Sequence, residues 1–176
     1  RREPNTRPHR LADMELIRET CGFERWLVGG GSWGATLALA YAQAHPQRVR
    51  GIVLRATFLG TRAELASAFL KVLPLFYPDL SDDFIGLLAE DERAEPLDAY
   101  WRRILDADPA VHGPAARAWN ETERVLSEHV PGRTRLDRGS LNSSRALPTP
   151  PSMEAHTFQR DCCLAPTQFM QEAGRH

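Results

Sequence analysis

One short segment of the sequence carries the residue types and spacing of a serine nucleophile. Gly30-Gly31-Ser32-Trp33-Gly34 fits G-x-S-x-G, a pattern in which the serine stands exposed on a sharp turn from a strand into a helix. Glycines two residues before and two residues after the serine remove side chains that would collide in such a turn. The Trp33 amide, at the start of the helix, would then stabilise an oxyanion. The pattern predicts acyl-transfer chemistry at Ser32.

The neighbouring elements are those that such a turn requires. Residues 25–28 form a short apolar run typical of a buried strand, and residues 35–44 are apolar almost all round, as a buried helix is. His45-Pro46 ends this helix, and residues 49–54 are read as the next strand. Strand, helix and strand joined by short links predict a βαβ crossover in a parallel sheet, and therefore an α/β fold.

Helices are predicted on both sides of this unit. Residues 11–21 place apolar side chains on one helical face, and Gly22 ends that helix. After Arg55 the character changes: residues 62–129 carry no convincing strand pattern, and prolines, Pro114 among them, separate apolar patches that predict several helices. Residues 131–152 are rich in Pro, Ser and Gly and are interpreted as a loop or flexible segment.

The same glycines fit a second pattern. Gly29, Gly31 and Gly34 match G-x-G-x-x-G, which is typical of dinucleotide-binding loops. Such a site needs an acid about 20 residues further on to hold the ribose, but the first acid after the next strand is Glu64. Because Arg55 could meet a 2′-phosphate, an NADP-binding module stays open, as does a purely structural glycine turn. A P-loop is excluded because no lysine follows the glycines.

Composition and charge exclude several other classes. The 176 residues carry a net charge of −1, with 42% hydrophobic and 26% charged residues, which is typical of a globular protein and argues against a nucleic-acid partner. No apolar run reaches the roughly 18 residues that span a bilayer, so no membrane partner is expected. Cys21 and the adjacent Cys162 and Cys163 lack the spacing of a zinc site or a disulfide framework. We expect reduced thiols, no metal, no cofactor and a cytoplasmic protein; the oligomeric state stays open.

Residues 25–43 resemble the nucleophile-elbow segment of proline iminopeptidases, also called prolyl aminopeptidases, which are serine peptidases of the α/β-hydrolase fold. The core G-G-S-W-G followed by T-L-A-L-A-Y-A is more specific than G-x-S-x-G alone. Asn5-Thr6, the helix at 11–18, Leu54-Arg55 with Phe58-Leu59, and residues 100–105 are also similar. The resemblance runs from residue 5 to about residue 126 and resumes near Glu154.

The resemblance implies removal of an N-terminal proline from a peptide substrate by a Ser-His-Asp triad without metal. Ser32 would be the nucleophile and the Trp33 amide an oxyanion donor. Two further acids of the family, which hold the substrate's imino group, correspond to Glu123 and Glu154. Thr122 stands where the family has a second Trp before Glu123, and Thr157 stands for a Tyr in the E-x-H-Y-F pattern that begins at Glu154.

A carboxylate pair suits the role of an ammonium clamp. It would bind a secondary ammonium and fix the free N-terminus one residue from the scissile bond, which makes an aminopeptidase rather than an endopeptidase. From the residues alone, Glu123 and Glu154 are as well explained by solvated charges on helix faces.

The sequence offers no convincing triad base or acid. In this fold both follow the serine in chain order, and His45, His112, His129, His156 and His176 all lie at positions that do not suit the role. The family's H-G-G-P-G oxyanion loop would lie before residue 1, and the Asp and His would lie after residue 176.

We therefore expect a central fragment of an α/β-hydrolase with a helical cap. It would comprise a partial core at 1–60, the cap at 61–130, the loop at 131–152 and the truncated end of the cap at 153–176. Little or no peptidase activity is expected of the chain alone, because nothing in it deprotonates Ser32. An esterase-like α/β-hydrolase and an inactive remnant are the alternatives.

Overall fold

The computed structural model describes residues 7–143, 147 and 149–158, which fall into two compact units. The sheet unit is described over residues 7–64, and the helical unit begins at Leu65. The division therefore lies four residues after the boundary expected at residues 60 and 61. The expectations that concern Asn5-Thr6, Cys162, Cys163 and His176 lie outside the described residues.

The sheet unit is a βαβ crossover with an additional helix. Its elements are α1 (Arg7–Thr20), β1 (Trp26–Ser32), α2 (Trp33–Ala44) and β2 (Val49–Thr57). The two strands are parallel, with Trp26 opposite Val49 at one end and Ser32 opposite Thr57 at the other. Val28, Ala38 and Tyr41 form the buried core between strands and helix. The predicted parallel α/β arrangement is confirmed, with strands longer than the apolar runs that indicated them.

A polar network attaches α1 to this core. The Arg18 guanidinium donates to both oxygens of Glu15, at 2.9 and 3.0 Å, and the Tyr41 hydroxyl also donates to Glu15. The Trp26 indole donates to the Tyr41 hydroxyl at 3.1 Å. Because Arg18 is buried, its charge needs compensation, which Glu15 supplies together with Glu19 at 3.2 Å.

Within its described residues, the helical unit contains helices and no strand. Its helices are α3 (Arg62–Ser67, which begins in the sheet unit), a π-helical turn (Ala68–Val72), α4 (Leu73–Phe76), α5 (Pro78–Gly86), α6 (Pro96–Ile104), α7 (Pro109–Ser127), α8 (Arg138–Leu141) and α9 (Thr149–Phe158). Buried aromatic rings make its centre. Phe84 stacks on Tyr100 with ring centroids 4.0 Å apart, and Phe69 stacks on Trp119 at 4.4 Å.

The helical unit departs from the sequence expectation in two places. Pro114 does not separate two helices but lies inside α7, near its start. Because proline has no N–H, one helical hydrogen bond, to the Ala110 carbonyl, is not formed. The stretch at 131–152, expected to be a loop, contains α8 and the start of α9. It is also anchored, because Asp83 accepts two hydrogen bonds from Arg135, at 2.6 and 2.8 Å, and one from the Leu136 amide at 3.1 Å.

Candidate active site

Ser32 lies at the junction of β1 and α2 with a strained backbone. Its φ of 52° and ψ of −122° place it in a region that L-residues rarely adopt. The side chain is exposed, and its hydroxyl does not cap α2. A strained, exposed serine between a strand and a helix is the geometry that a nucleophile elbow requires.

The glycines around Ser32 differ in how strictly they are needed. A Cβ at Gly30 would lie 2.1 Å from the Gly34 carbonyl oxygen, so only glycine permits this approach of strand and helix. A Cβ at Gly31 would lie 3.1 Å from a guanidinium nitrogen of Arg55. At Gly34 a Cβ would meet nothing within 4 Å, and φ is not positive. The expectation that both flanking glycines prevent a collision is therefore correct for Gly30 and wrong for Gly34.

The Trp33 amide lies at the start of α2, because Trp33 is the first residue of that helix. The positive end of the helix dipole lies at the same point. The Arg10 guanidinium lies over the Trp33 ring, 5.5 Å from its centroid, so α1 also contacts the elbow.

The structure gives no support to a dinucleotide loop at these glycines. Glu64, the first acid after β2, accepts hydrogen bonds from the Leu59 amide at 3.1 Å and the Thr61 amide at 3.0 Å. Its carboxylate caps the first turn of α3 and is not presented to a ribose. Arg55 packs against Gly31, where the backbone of such a loop would approach a pyrophosphate.

The helical unit brings Glu123 and Glu154 together from α7 and α9. Both carboxyl groups are partly buried, and Glu123 donates a hydrogen bond to Glu154. The Trp119 indole, one turn before Glu123, donates to Glu154 at 2.9 Å. Burial and the neighbouring Glu154 charge raise the pKa of Glu123 to about 7. Burial also raises the pKa of Glu154, although the hydrogen bonds from Trp119 and Glu123 oppose this rise.

With its pKa raised to about 7, Glu123 keeps its proton to a higher pH than an exposed glutamate does, and the protonated carboxyl can donate to Glu154. Thr122, beside Glu123, is fully buried and donates to the Ala118 carbonyl at 2.8 Å. Threonine is smaller than the tryptophan expected at this position, and its hydroxyl finds a hydrogen-bond acceptor within its own helix.

The structure defines contacts for two of the described histidines. His45 ends α2, and its ring contacts Tyr41 at a centroid distance of 5.1 Å. The 12 residues of α2 put it roughly 18 Å from Ser32 along the helix axis. His112 contacts the Asp106 carbonyl at 3.0 Å through Nδ1. Over residues 7–143, 147 and 149–158, no three His, Cys, Asp or Glu side chains form a metal-binding group, and no helix there is long and apolar enough to cross a membrane.

Three features near these sites were not predicted from the sequence. They are the contact of Arg55 with Gly31, the left-handed backbone of Ala56 with φ 47°, and the indole of Trp119 as the donor to Glu154. The A-W-x-x-x-E spacing, which puts Trp119 and Glu123 on one helix face, was the signal for the last of these.

Comparison with known proteins finds similar chains among proteins named proline iminopeptidase. The chain is 43% identical over 126 residues to a proline iminopeptidase of Arabidopsis thaliana, a match that covers 71% of this chain and 33% of that protein. It is 41% identical over 132 residues to a proline iminopeptidase of Neisseria gonorrhoeae, covering 73% and 42%. A probable proline iminopeptidase of Streptomyces coelicolor is 41% identical over 129 residues, covering 73% and 40%.

The chain spans about two fifths or less of the length of these curated relatives. Residues 9–112, which include the elbow, α2 and both strands, match the family described as alpha/beta hydrolase fold. With the strained serine between β1 and α2, this match establishes that the chain belongs to the alpha/beta hydrolase fold family.

Proposed function

We propose that this chain carries the nucleophile and the amine-binding carboxyls of a serine peptidase that releases N-terminal proline from peptides. The observation that supports this best is that α7 and α9 bring the Glu123 and Glu154 carboxyl groups together in a partly buried site of the helical unit, where Trp119 donates to Glu154 at 2.9 Å. The similarity to proteins named proline iminopeptidase agrees with the same reaction.

In the proposed reaction the Ser32 oxygen attacks the carbonyl carbon of the N-terminal prolyl residue. The hydroxyl proton passes to a general base, and the carbonyl electrons move onto an oxyanion that accepts a hydrogen bond from the Trp33 amide. When this intermediate collapses, the peptide C–N bond breaks and the base gives its proton to the departing amine, which leaves a prolyl ester on Ser32. Water then hydrolyses the ester, releasing proline and restoring the serine hydroxyl. We propose that the base and its acid are not among the residues of this chain.

The carboxyl pair is chemically suited to a secondary ammonium. An N-terminal proline presents two N–H donors and one positive charge, which two carboxylates can accept and neutralise. The proton that Glu123 holds without substrate would leave when the ammonium arrives, because a cation stabilises both groups in their ionised form. The hydrogen bond from Trp119 holds Glu154 in position for this exchange.

Calorimetric titration with L-prolinamide tests this proposal without requiring turnover. Near pH 7 the titration should show binding coupled to proton release, seen as a heat that changes with the ionisation enthalpy of the buffer. Tetrahydrofuran-2-carboxamide, in which an ether oxygen replaces the ring nitrogen, should not bind. Binding of both compounds alike, or of neither, would contradict the proposed amine site.

A variant pair separates this site from general charge effects. Glu123→Gln should abolish the proton release and weaken binding, because it removes the titrating group. Glu121→Gln makes the same change two residues away on α7, where Glu121 pairs with Arg124 at 3.0 Å, and should leave the titration unchanged. Equal losses in the two variants would argue against a specific role of Glu123.

Turnover assays with the purified chain test the proposed absence of a base. No release of arylamine from a proline arylamide is expected, because an unassisted serine hydroxyl is a weak nucleophile. Measured release would show that the chain supplies a base of its own. Cleavage of simple esters, with no preference for a free proline amine, would favour the esterase alternative.

A further inference from the structure

Among the described residues, two that are not glycine have a positive φ, and they lie near each other across the β1–β2 ladder. Ser32 has φ 52° at the end of β1, and Ala56 has φ 47° near the end of β2. Gly31 lies opposite Arg55 and Ser32 lies opposite Thr57, so Ala56 is an additional residue without a partner in the ladder. This arrangement is a β-bulge beside the proposed nucleophile, a place where bulges commonly re-aim side chains.

The elbow helix holds the chain that follows this bulge. Thr36 lies on α2, four residues after Ser32, and is only 2% exposed. Its hydroxyl donates to the Phe58 carbonyl at 2.7 Å, just beyond the end of β2. The Glu64 carboxylate accepts from the next amide, that of Leu59, at 3.1 Å. The segment after the bulge is therefore attached to α2 on one side and to the first turn of α3 on the other.

We infer that the Ala56 bulge and the Thr36–Phe58 hydrogen bond form a positioning device that holds Ser32 in its strained conformation. A left-handed serine persists only where its surroundings determine it strongly. The additional residue in β2 lets Thr57 pair with Ser32 although the backbone at Ser32 already turns into α2. The hydrogen bond from Thr36 then fixes the end of β2 to the same helix that Ser32 begins. The conformational coupling is independent of the reaction, whereas its use in positioning a nucleophile rests on the proposed function.

The backbone amide resonances of Ser32 and Trp33 in the ¹⁵N-labelled chain test this coupling directly. Thr36→Val keeps the side-chain shape and removes the donor. It should shift both resonances several-fold more than those of Val28 and Ile52, which lie in the middle of the strands. Thr122→Val is the matched control, because Thr122 is also fully buried but donates within its own helix, to the Ala118 carbonyl at 2.8 Å. It should leave Ser32 and Trp33 unshifted.

Two substitutions at the bulge give an independent measurement. Ala56→Gly should preserve the Ser32 resonance and raise the urea midpoint of the sheet unit, because glycine adopts a positive φ without strain. Ala56→Val should shift Ser32 as Thr36→Val does, because a β-branched residue resists the left-handed region. Arg50→Val adds the same β-branched side chain at the other residue of β2 without a partner in the ladder, at the far end of the strand, and should leave Ser32 unchanged.

Unchanged Ser32 and Trp33 resonances in both Thr36→Val and Ala56→Val would overturn the inference. A shift of equal size in Thr122→Val or Arg50→Val would do the same, because the effect would then not be specific to the bulge. The measurement reads backbone conformation and not turnover. Failure of this coupling and failure of the proposed peptidase reaction are therefore separate results.

Discussion

Replacing Glu123 by glutamine should make the helical unit more stable at pH 8 and leave its stability at pH 5 nearly unchanged. The pKa of Glu123 is raised from 4.5 to about 7, chiefly by burial and then by the charge of Glu154. The folded chain therefore binds this proton more tightly than the unfolded chain does. The corresponding stabilisation is complete below about pH 4.5 and is lost as the pH rises through about 7.

The size of the loss follows from the two pKa values. A change from 4.5 to about 7, at 1.36 kcal/mol for each pKa unit, corresponds to about 3 kcal/mol. Glutamine is neutral at every pH and can donate to Glu154 as the protonated carboxyl does. Glu123→Gln should thus match the wild type within about 1 kcal/mol at pH 5 and exceed it by about 3 kcal/mol at pH 8.

Urea unfolding of both proteins at intervals from pH 5 to pH 8, followed by far-ultraviolet circular dichroism, measures this difference. Glu121→Gln is the control on the same helix. It removes a surface ion pair with Arg124 and should change the free energy of unfolding by less than about 1 kcal/mol at either end of the range. Parallel pH profiles for wild type and Glu123→Gln would refute the reasoning, because they would show that Glu123 has the same proton affinity in both states.

Three further predictions test how the two units are built. Gly30→Ala should destabilise the sheet unit by about 1–3 kcal/mol or more, because its Cβ would lie 2.1 Å from the Gly34 carbonyl oxygen. Gly34→Ala should instead stabilise α2 by up to about 1 kcal/mol. Equal effects of the two substitutions in urea unfolding would contradict this difference between the glycines. Glu15→Gln should cost about 2 kcal/mol, because buried Arg18 loses its two-point ion pair and keeps only the exposed Glu19 as a charged partner. The Arg18 and Tyr41 hydrogen bonds lower the pKa of Glu15 to about 2, so the wild type should itself lose the stabilisation from Glu15 as the pH falls from 4.5 towards 2. If Glu15→Gln had the same acid unfolding curve as the wild type, this prediction would be wrong. Asp83→Asn should release the segment around Arg135 and speed trypsin cleavage at Arg133 or Arg135, while Asp82→Asn on the same helix should not.

The sequence by itself determined the elements whose signals are local. The apolar run before the glycines, the alanine-rich stretch after them and His45-Pro46 indicate strand, helix and helix end within a few residues. The turn at Ser32 was predictable for the same reason, since its steric demands act between residues 30 and 34. The helical character of the region after Arg55 followed from its periodicity and its prolines.

Features that depend on residues distant in sequence were decided only by the tertiary structure. Glu123 and Glu154 are far apart in the chain, so the two carboxyl groups meet only because α7 and α9 pack together in the helical unit. The stretch after residue 131 has loop composition, but Asp83, about 50 residues earlier, binds it through Arg135. Pro114 is tolerated inside α7 because only one backbone hydrogen bond is forgone near the helix start.

Strand register decided the remaining features at the elbow. Nothing in the order of Arg55, Ala56 and Thr57 indicates which of them lacks a partner, because a bulge is defined only by the strand on the other side of the ladder. The serine and its glycines could thus be recognised from the sequence. The bulge beside Ser32 and the threonine that fixes it became visible only once β1, β2 and α2 were packed together.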